Sequence, residues 1–216
     1  MGSFVVIDLE MCIIPKGAGR KIYPWYGEII QIGAALLNDR YETVDTFKTY
    51  VSPEYGSIDR YIEALTGITN EDTRFAPPIR QALSAFMQWV PHDSVFVSWS
   101  NTDKMQLENE TACKNIDVPM LQQYLDTWID CQQLFAEVMD SKKQYGLTDA
   151  LIIADIDYEE HAHDALVDAC NTAKLFAKIK REPDMQLNPL YCSEENAVSA
   201  VHNPFAALKN ANLSDN

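Results

Sequence analysis

The chain has 216 residues, of which 47% are hydrophobic, and a formal net charge of −15 at pH 7. This length accommodates one sizeable core, or one domain with an appendage. No segment approaches the run of roughly 20 apolar residues that spans a bilayer, and the first residues lack a basic leader region. We therefore expect a cytoplasmic protein with no membrane partner.

Cysteines and charge narrow the classes of function. The five cysteines are odd in number, far apart and never in a C-x-x-C arrangement, which argues against a disulfide framework and a zinc site. The acidity counts against nucleic-acid binding, which normally uses Lys and Arg. Residues 183–216 hold four acids and one base, so −12 of the charge lies in residues 1–182.

Apolar patterning predicts alternating strands and helices along the chain. Ser57 is the expected N-cap of the first helix, which ends near Gly67. The segment 14–27 is rich in Gly and Pro and is predicted to be a loop. The predicted strands cover 4–12, 28–38, 43–53, 94–100 and 124–131, and the predicted helices cover 57–69, 77–90, 102–115, 132–140, 146–155 and 164–181.

This order of elements predicts an α/β fold: a mixed five-stranded sheet with helices on both faces. We place the domain boundary near residue 182, where the composition changes to Asn, Ser, Pro and Ala. Residues 183–216 are then a C-terminal tail that docks on the domain or stays mobile.

The first acidic pair is Asp8 and Glu10, at the end of an apolar strand. Residues i and i+2 of a strand share one face, so the two carboxylates project from the same side. Like charges this close repel unless a cation lies between them, and hard divalent cations prefer carboxylate oxygens. The alternative is a solvent-exposed strand end.

Two further acidic positions follow. Asp103 comes just after the strand 94–100, where either Asp103 or Thr102 would equally serve to cap the next helix. Asp168 lies one turn into the final helix. His163 converges with it only from the loop before that helix, because five helical residues would separate the two by about 140°.

Two neighbours compete for these roles near the final helix. His161 competes with His163 for the histidine role. Asp164 is the natural N-cap but also lies four residues before Asp168, on the same helical face.

The order Asp-x-Glu, then Asp103, then His-x4-Asp resembles the DEDDh 3′ to 5′ exonuclease family, which has the ribonuclease H-like fold. The resemblance covers about residues 4–180, and the wording WYGEIIQIGAAL, VSWS and HDALVDACNTA is most similar to its Eri/KapD-like branch. It implies that two divalent cations, Mg²⁺ or Mn²⁺, bind four acids while His163 is the general base; the acids are Asp8, Glu10, Asp103 and Asp168. Asp8 is the expected bridge between the cations. The tyrosine subclass is excluded, because its tyrosine position is Asp164 here.

The resemblance also implies the chemistry: hydrolysis of the terminal phosphodiester at a nucleic-acid 3′ end, releasing nucleoside 5′-monophosphates. Single-stranded or short RNA is slightly favoured, and the protein is expected to be a monomer or homodimer. One alternative is a DNA proofreading or oligoribonuclease-like enzyme. Another is a non-catalytic nuclease-like binding module.

Candidate substrate contacts come from several segments. The segment Leu65, Thr66, Gly67 and Ile68 resembles the family element that lies against the terminal nucleotide, although a helix C-cap explains it equally well. Met11 and Trp99 are further candidates, with core packing as the alternative for Met11. The loop 14–27 interleaves bases with aromatics, either to stack single strands or to cover a sheet edge; these residues are Lys16, Arg20, Lys21, Tyr23, Trp25 and Tyr26.

Overall fold

Five strands form one mixed sheet in the order β3-β2-β1-β4-β5. The computed structural model describes residues 2–14, 23–159, 163–182, 185 and 187–188. Antiparallel pairing joins β1 to β2 and β2 to β3, whereas β4 pairs parallel with both β1 and β5. The strands are β1 (Ser3–Ile13), β2 (Gly27–Leu37), β3 (Thr43–Tyr50), β4 (Ser94–Ser98) and β5 (Ile129–Asp130). The predicted mixed five-stranded sheet is confirmed.

Eight helices lie in the described part of the chain. They are α1 (Arg60–Thr66), α2 (Asn70–Arg74), α3 (Ile79–Trp89), α4 (Asn101–Cys113), α5 (Leu121–Asp126), α6 (Cys131–Val138), α7 (Leu147–Ile153) and α8 (Ala165–Arg181). None of them combines the length and the apolar character that crossing a bilayer requires.

Two details of the predicted elements are wrong. The N-cap of α1 is Asp59, not Ser57: its carboxylate accepts hydrogen bonds from Tyr61 N at 3.0 Å and Ile62 N at 2.9 Å. Of the predicted strand 124–131, residues 124–126 are the end of α5 and Ile129–Asp130 form a strand of two residues. A short mixed run of apolar and polar residues does not distinguish strand from helix by its pattern.

Strand β1 separates two core layers. Its odd-numbered residues from Val5 to Met11 belong to the main cluster, together with side chains of α1, α3, α4 and α5. Val6 points the other way and packs in a second cluster that includes Phe176 of α8. Because Asp8 and Glu10 share the parity of Val6, they lie on the sheet face that α8 covers.

Helix α8 crosses this face, and its C-cap is Glu182. Beyond it, Met185 is 8% exposed and packs with Phe135 and Leu175 in a third core cluster. The proposed domain boundary therefore coincides with a helix end, while at least one residue after it is buried. Most of the predicted tail lies outside the described residues.

The cysteines of the described residues are all free; they are Cys12, Cys113, Cys131 and Cys170. Cys12 and Cys131 are fully buried, and burial raises the pKa of the Cys12 thiol to about 12. A thiol that resists ionisation is a poor nucleophile and a poor metal ligand, so these two behave as small core side chains.

Candidate active site

Asp8 and Glu10 lie on adjacent same-face positions of β1, the central strand. Across the β1–β2 ladder, Asp8 pairs with Gly33 and Glu10 with Gln31. Glu10 is 4% exposed and Asp8 is half-buried, which contradicts the alternative of a solvated strand end. A register shift follows directly after Glu10. Such irregularities re-aim side chains and commonly occur beside functional sites.

Asp103 reaches the same region from the first turn of α4. Its Oδ1 accepts a hydrogen bond from the backbone N–H of Leu9 at 3.0 Å, between the two acids of β1. The N-cap of α4 is Ser100, which accepts from Thr102 N at 3.3 Å. The capping alternative for Asp103 and Thr102 is therefore wrong, and Asp103 is a buried helical side chain, 6% exposed.

His163 lies in the turn before α8, as convergence with Asp168 requires. Its φ of 69° is in the left-handed region, which is uncommon outside glycine. This turn points the His163 N–H at Asp168 Oδ2, at 2.9 Å. Asp164 is the N-cap, accepting from Leu166 N at 3.0 Å. His161 lies outside the described residues.

Three of these residues approach closely enough to share one ion. One carboxylate oxygen each from Glu10 and Asp168 and one imidazole nitrogen of His163 lie within 4.8 Å of one another. Asp8 and Asp103 belong to the same electrostatic cluster. Burial, followed by the charges of Asp103 and Asp168, raises the pKa of Asp8 well above its usual value.

The other acids are perturbed in the same direction. Burial, reinforced by Asp168 and Asp103, raises the pKa of Glu10. Burial raises the pKa of Asp103 to about 7, although the Leu9 N–H opposes the shift. Burial also raises the pKa of Asp168, against the His163 N–H. The pKa of all four acids is raised, so the described residues do not compensate burial and mutual repulsion in full.

These carboxylates are close together, largely buried and mutually repulsive. Such a set of oxygen donors suits hard divalent cations. Carboxylate oxygens do not suit the soft metals that prefer thiolates. The residues present thus fit the cation site that the sequence predicts.

Two sheet residues that the sequence did not single out, one on β2 and one on β3, hold α8 close to the acids. A Cβ built at Gly33 would overlap the backbone of Ala165 and Leu166, so only glycine permits this contact. On β3, Lys48 pairs with Gly33 in the ladder, and its Nζ lies 2.5 Å from Asp164 Oδ2. The sheet therefore holds the start of α8 beside Asp8.

We expect Gly33→Ala to displace α8. Overpacking against a backbone that cannot rotate away costs about 1–3 kcal/mol of folding free energy. Activity should fall further than stability predicts, because His163 and Asp168 move with the helix. Thermal unfolding and nuclease assays of the variant measure both effects.

Gly2→Ala is the matched control, because its new Cβ would meet only Asp93 O at 3.7 Å. A Gly33→Ala protein with wild-type activity and wild-type thermal stability would contradict the close approach.

The candidate substrate-contact residues are placed as follows. Helix α1 ends at Thr66, and Gly67 is its C-cap with φ 71°, so the C-cap explanation holds for this glycine. Ile68 and Met11 are 3% exposed and belong to the main core. Leu65 and Thr66 are half-buried.

Trp99 packs between core clusters on the α8 side of the sheet. Its ring centroid lies 6.3 Å from that of Phe135.

The loop aromatics pack inward. Tyr23 is 1% exposed and Tyr26 is 5% exposed. Trp25 is half-buried and donates through Nε1 to Gln106 Oε1 at 2.7 Å. The described aromatics thus cover the sheet, as the second interpretation of this loop expects. The bases of the loop, Lys16, Arg20 and Lys21, lie outside the described residues.

Comparison with known proteins agrees with this geometry. The RNase_T family model, described as "Exonuclease", matches residues 5–176. The chain is 32% identical over 196 residues to ERI1 exoribonuclease 2 of Danio rerio, covering 79% of this chain and 34% of the relative. It thus spans about a third of the length of that relative.

A second relative and a solved structure give broader coverage. The 3′-5′ exonuclease Snipper of Drosophila melanogaster is 26% identical, covering 88% of this chain and 77% of the relative. The solved nuclease domain of 3′hExo, a DEDDh family member, bound to rAMP, superposes with a TM-score of 0.69 at 21% identity, covering 86% of this chain and 96% of that one. The predicted ribonuclease H-like fold is confirmed, and the chain belongs to the exonuclease family.

Proposed function

We propose that this protein is a 3′ to 5′ exoribonuclease that hydrolyses terminal phosphodiesters of single-stranded or short RNA and releases nucleoside 5′-monophosphates. The observation that carries the proposal is the convergence of Glu10, Asp168 and His163 within 4.8 Å, with Asp8 and Asp103 in the same acidic cluster. RNA is favoured because the Danio rerio relative is named an exoribonuclease and the 3′hExo domain was solved with rAMP.

Membership in the DEDDh family implies dependence on divalent cations, and we propose Mg²⁺ or Mn²⁺. Asp8, Glu10, Asp103 and Asp168 would hold two such ions, with Asp8 at the centre of the cluster. When bound, the ions supply charge stabilisation of the phosphate and a more acidic attacking water.

The protein's own residues supply positioning and proton transfer. An imidazole nitrogen of His163 accepts the proton of the attacking water, a role that histidine fills more often than other side chains in general acid–base catalysis. The His163 N–H bond to Asp168 fixes the turn that carries this imidazole. No covalent enzyme intermediate is required.

The test uses RNA and DNA oligonucleotides of one sequence, labelled at either end, with Mg²⁺ or Mn²⁺ and with EDTA. A 5′ label should yield a ladder that shortens from the 3′ end, whereas a 3′ label should yield mononucleotide at once. Faster decay of the RNA supports the RNA preference, and faster decay of the DNA overturns it. No metal-dependent shortening of either substrate overturns the exonuclease proposal.

The acidic surface predicts substrate selectivity. With −12 of the charge in residues 1–182, long-range attraction of a polyanion is weak, while bound cations make the cleft locally attractive. We therefore expect kcat/KM to be higher for a short single strand than for a long duplex with the same 3′ sequence. Equal values at physiological salt would contradict this expectation.

Metal loading should stabilise the fold. A ligand at about 100 times its Kd stabilises the native state by about 2.7 kcal/mol, which corresponds to a rise in Tm of about 5–10 °C for a chain of this size. Differential scanning fluorimetry in EDTA, Mg²⁺, Mn²⁺ and Ca²⁺ measures the shift. Identical Tm values in EDTA and in 10 mM Mn²⁺, a concentration on the order of typical assay conditions, would argue against a cation site.

A further inference from the structure

Strand β2 carries one uncharged polar side chain in the run IIQIGAALL, and the proposed chemistry does not use it. This residue, Gln31, is 0% exposed. A buried amide costs free energy unless its oxygen and its nitrogen are both hydrogen-bonded. An apolar side chain of similar size would avoid this cost, so the amide requires a specific explanation.

The oxygen of Gln31 bonds the start of α8. Its Oε1 accepts from the backbone N–H of Ala165 at 2.7 Å, and this bond is buried. Ala165 is the first residue of α8, and the first four N–H groups of a helix have no partner within the helix. His163 lies two residues before this contact and Asp168 three residues after it.

The nitrogen of Gln31, in contrast to its oxygen, is not hydrogen-bonded to the described residues. Gln31 Nε2 is buried and has no hydrogen-bond partner among the described residues. An unsatisfied buried group costs about 1–3 kcal/mol. This half-satisfied amide stands directly across the ladder from Glu10, and the two residues therefore share the face that α8 covers.

We infer that Gln31 is a positioning residue for the cation site and the general base. By holding the Ala165 N–H, it fixes where α8 begins relative to β1. That relation sets the approach of His163 and Asp168 to Glu10. Gln31 itself touches neither substrate nor cation; it acts through the helix. This inference rests on the proposed function.

Two variants test the oxygen of Gln31. Gln31→Met keeps the length of the side chain but removes the acceptor. Gln31→Asn keeps the amide but is one methylene too short to reach Ala165.

We expect Gln31→Met and Gln31→Asn to lower kcat by about 10- to 100-fold, as loss of residues that orient metal ligands typically does, with little change in KM for a short RNA. Their Mn²⁺-induced rise in Tm should shrink, a readout that needs no substrate. If Gln31 served stability alone, the variants would have a lower Tm, but they would show neither a selective fall in kcat nor a smaller Mn²⁺-induced rise in Tm.

The matched control is Gln132→Met on α6, where a part-buried glutamine donates to Tyr145 O at 2.6 Å. It should keep wild-type kcat and Mn²⁺ response. Wild-type protein without nuclease activity would overturn the proposed function. An active wild type with equally active Gln31→Met and Gln31→Asn proteins would overturn the role of Gln31 alone.

Discussion

Replacing Asp8 by Asn is expected to abolish 3′-end trimming while making the metal-free protein more stable. Removing one carboxylate from a shared cation site should lower kcat about a thousandfold or more, which corresponds to about 4 kcal/mol of transition-state stabilisation. Without cations, the Asp8 charge is opposed by burial and by Asp103 and Asp168. The neutral amide of nearly the same volume relieves that repulsion.

Two measurements on the same preparations check this expectation. Single-turnover trimming of a 5′-labelled RNA measures the loss of rate, and thermal unfolding in EDTA at pH 7 measures the gain in stability. Asp117→Asn, at an exposed position, is the control for loss of one acid from an acidic protein. The prediction is wrong if Asp8→Asn retains more than about a tenth of the wild-type rate, or if its Tm in EDTA falls.

Lys114→Met is expected to cause a large loss of stability. Lys114 Nζ lies 2.5 Å from Glu28 Oε1 and 2.8 Å from Glu110 Oε1. Both glutamate side chains are fully buried and the lysine side chain is 6% exposed. Lys114 is the shared cation of these two ion pairs. Its removal leaves two buried negative charges, which typically costs about 3–5 kcal/mol of folding free energy.

Chemical denaturation of Lys114→Met measures this cost as a fall in the free energy of unfolding. Lys142→Met, at an exposed lysine, should change it by less than about 0.5 kcal/mol. Adding Glu110→Gln to Lys114→Met should recover part of the loss, because one uncompensated charge disappears. Additive effects of the two substitutions would show that the ion pair does not couple them.

The buried network of Lys114, Glu28 and Glu110 also holds backbone segments in place, which explains why it is buried. Glu28 accepts from the backbone N–H groups of Glu54 at 2.9 Å and Tyr55 at 2.8 Å. Glu110 accepts from Ile29 N at 2.8 Å. The network thereby fixes both the turn after β3 and the start of β2, next to the end of the strand that carries Glu10.

The sequence predicts that Asp8 and Glu10 share a face because strand parity is local, whereas Asp103 and Asp168 were assigned through the family resemblance. Asp8 and Glu10 share a face by the geometry of any strand, and the burial of Val5, Val6 and Ile7 identifies that strand as central. The position of His163 before α8 followed from helical rotation in the same way. Such conclusions need only a few consecutive residues.

Features that depend on distant partners were missed. Gly33 and Gln31 sit inside an apolar strand pattern, and their roles appear only when Ala165, more than a hundred residues later, lies against them. The N-cap of α1 was misplaced, and the end of α5 was predicted to be a strand, for a milder reason. Several neighbouring residues satisfy the local rules equally well, and tertiary packing selects among them.

The two faces of β1 have different tasks, so the active site depends on the number of residues before Asp8 in this strand as well as on their identity. Its odd positions build the main core, while its even positions carry Val6 and then both acids. An exchange of one apolar residue for another leaves that division intact, but an inserted or deleted residue before Asp8 would exchange the two faces. The acids would then enter the core, and Leu9 would enter the cleft. Exchange of one apolar residue for another is thus tolerated along this strand within the limits of volume, whereas a change in the number of its residues removes the fold and the active site together.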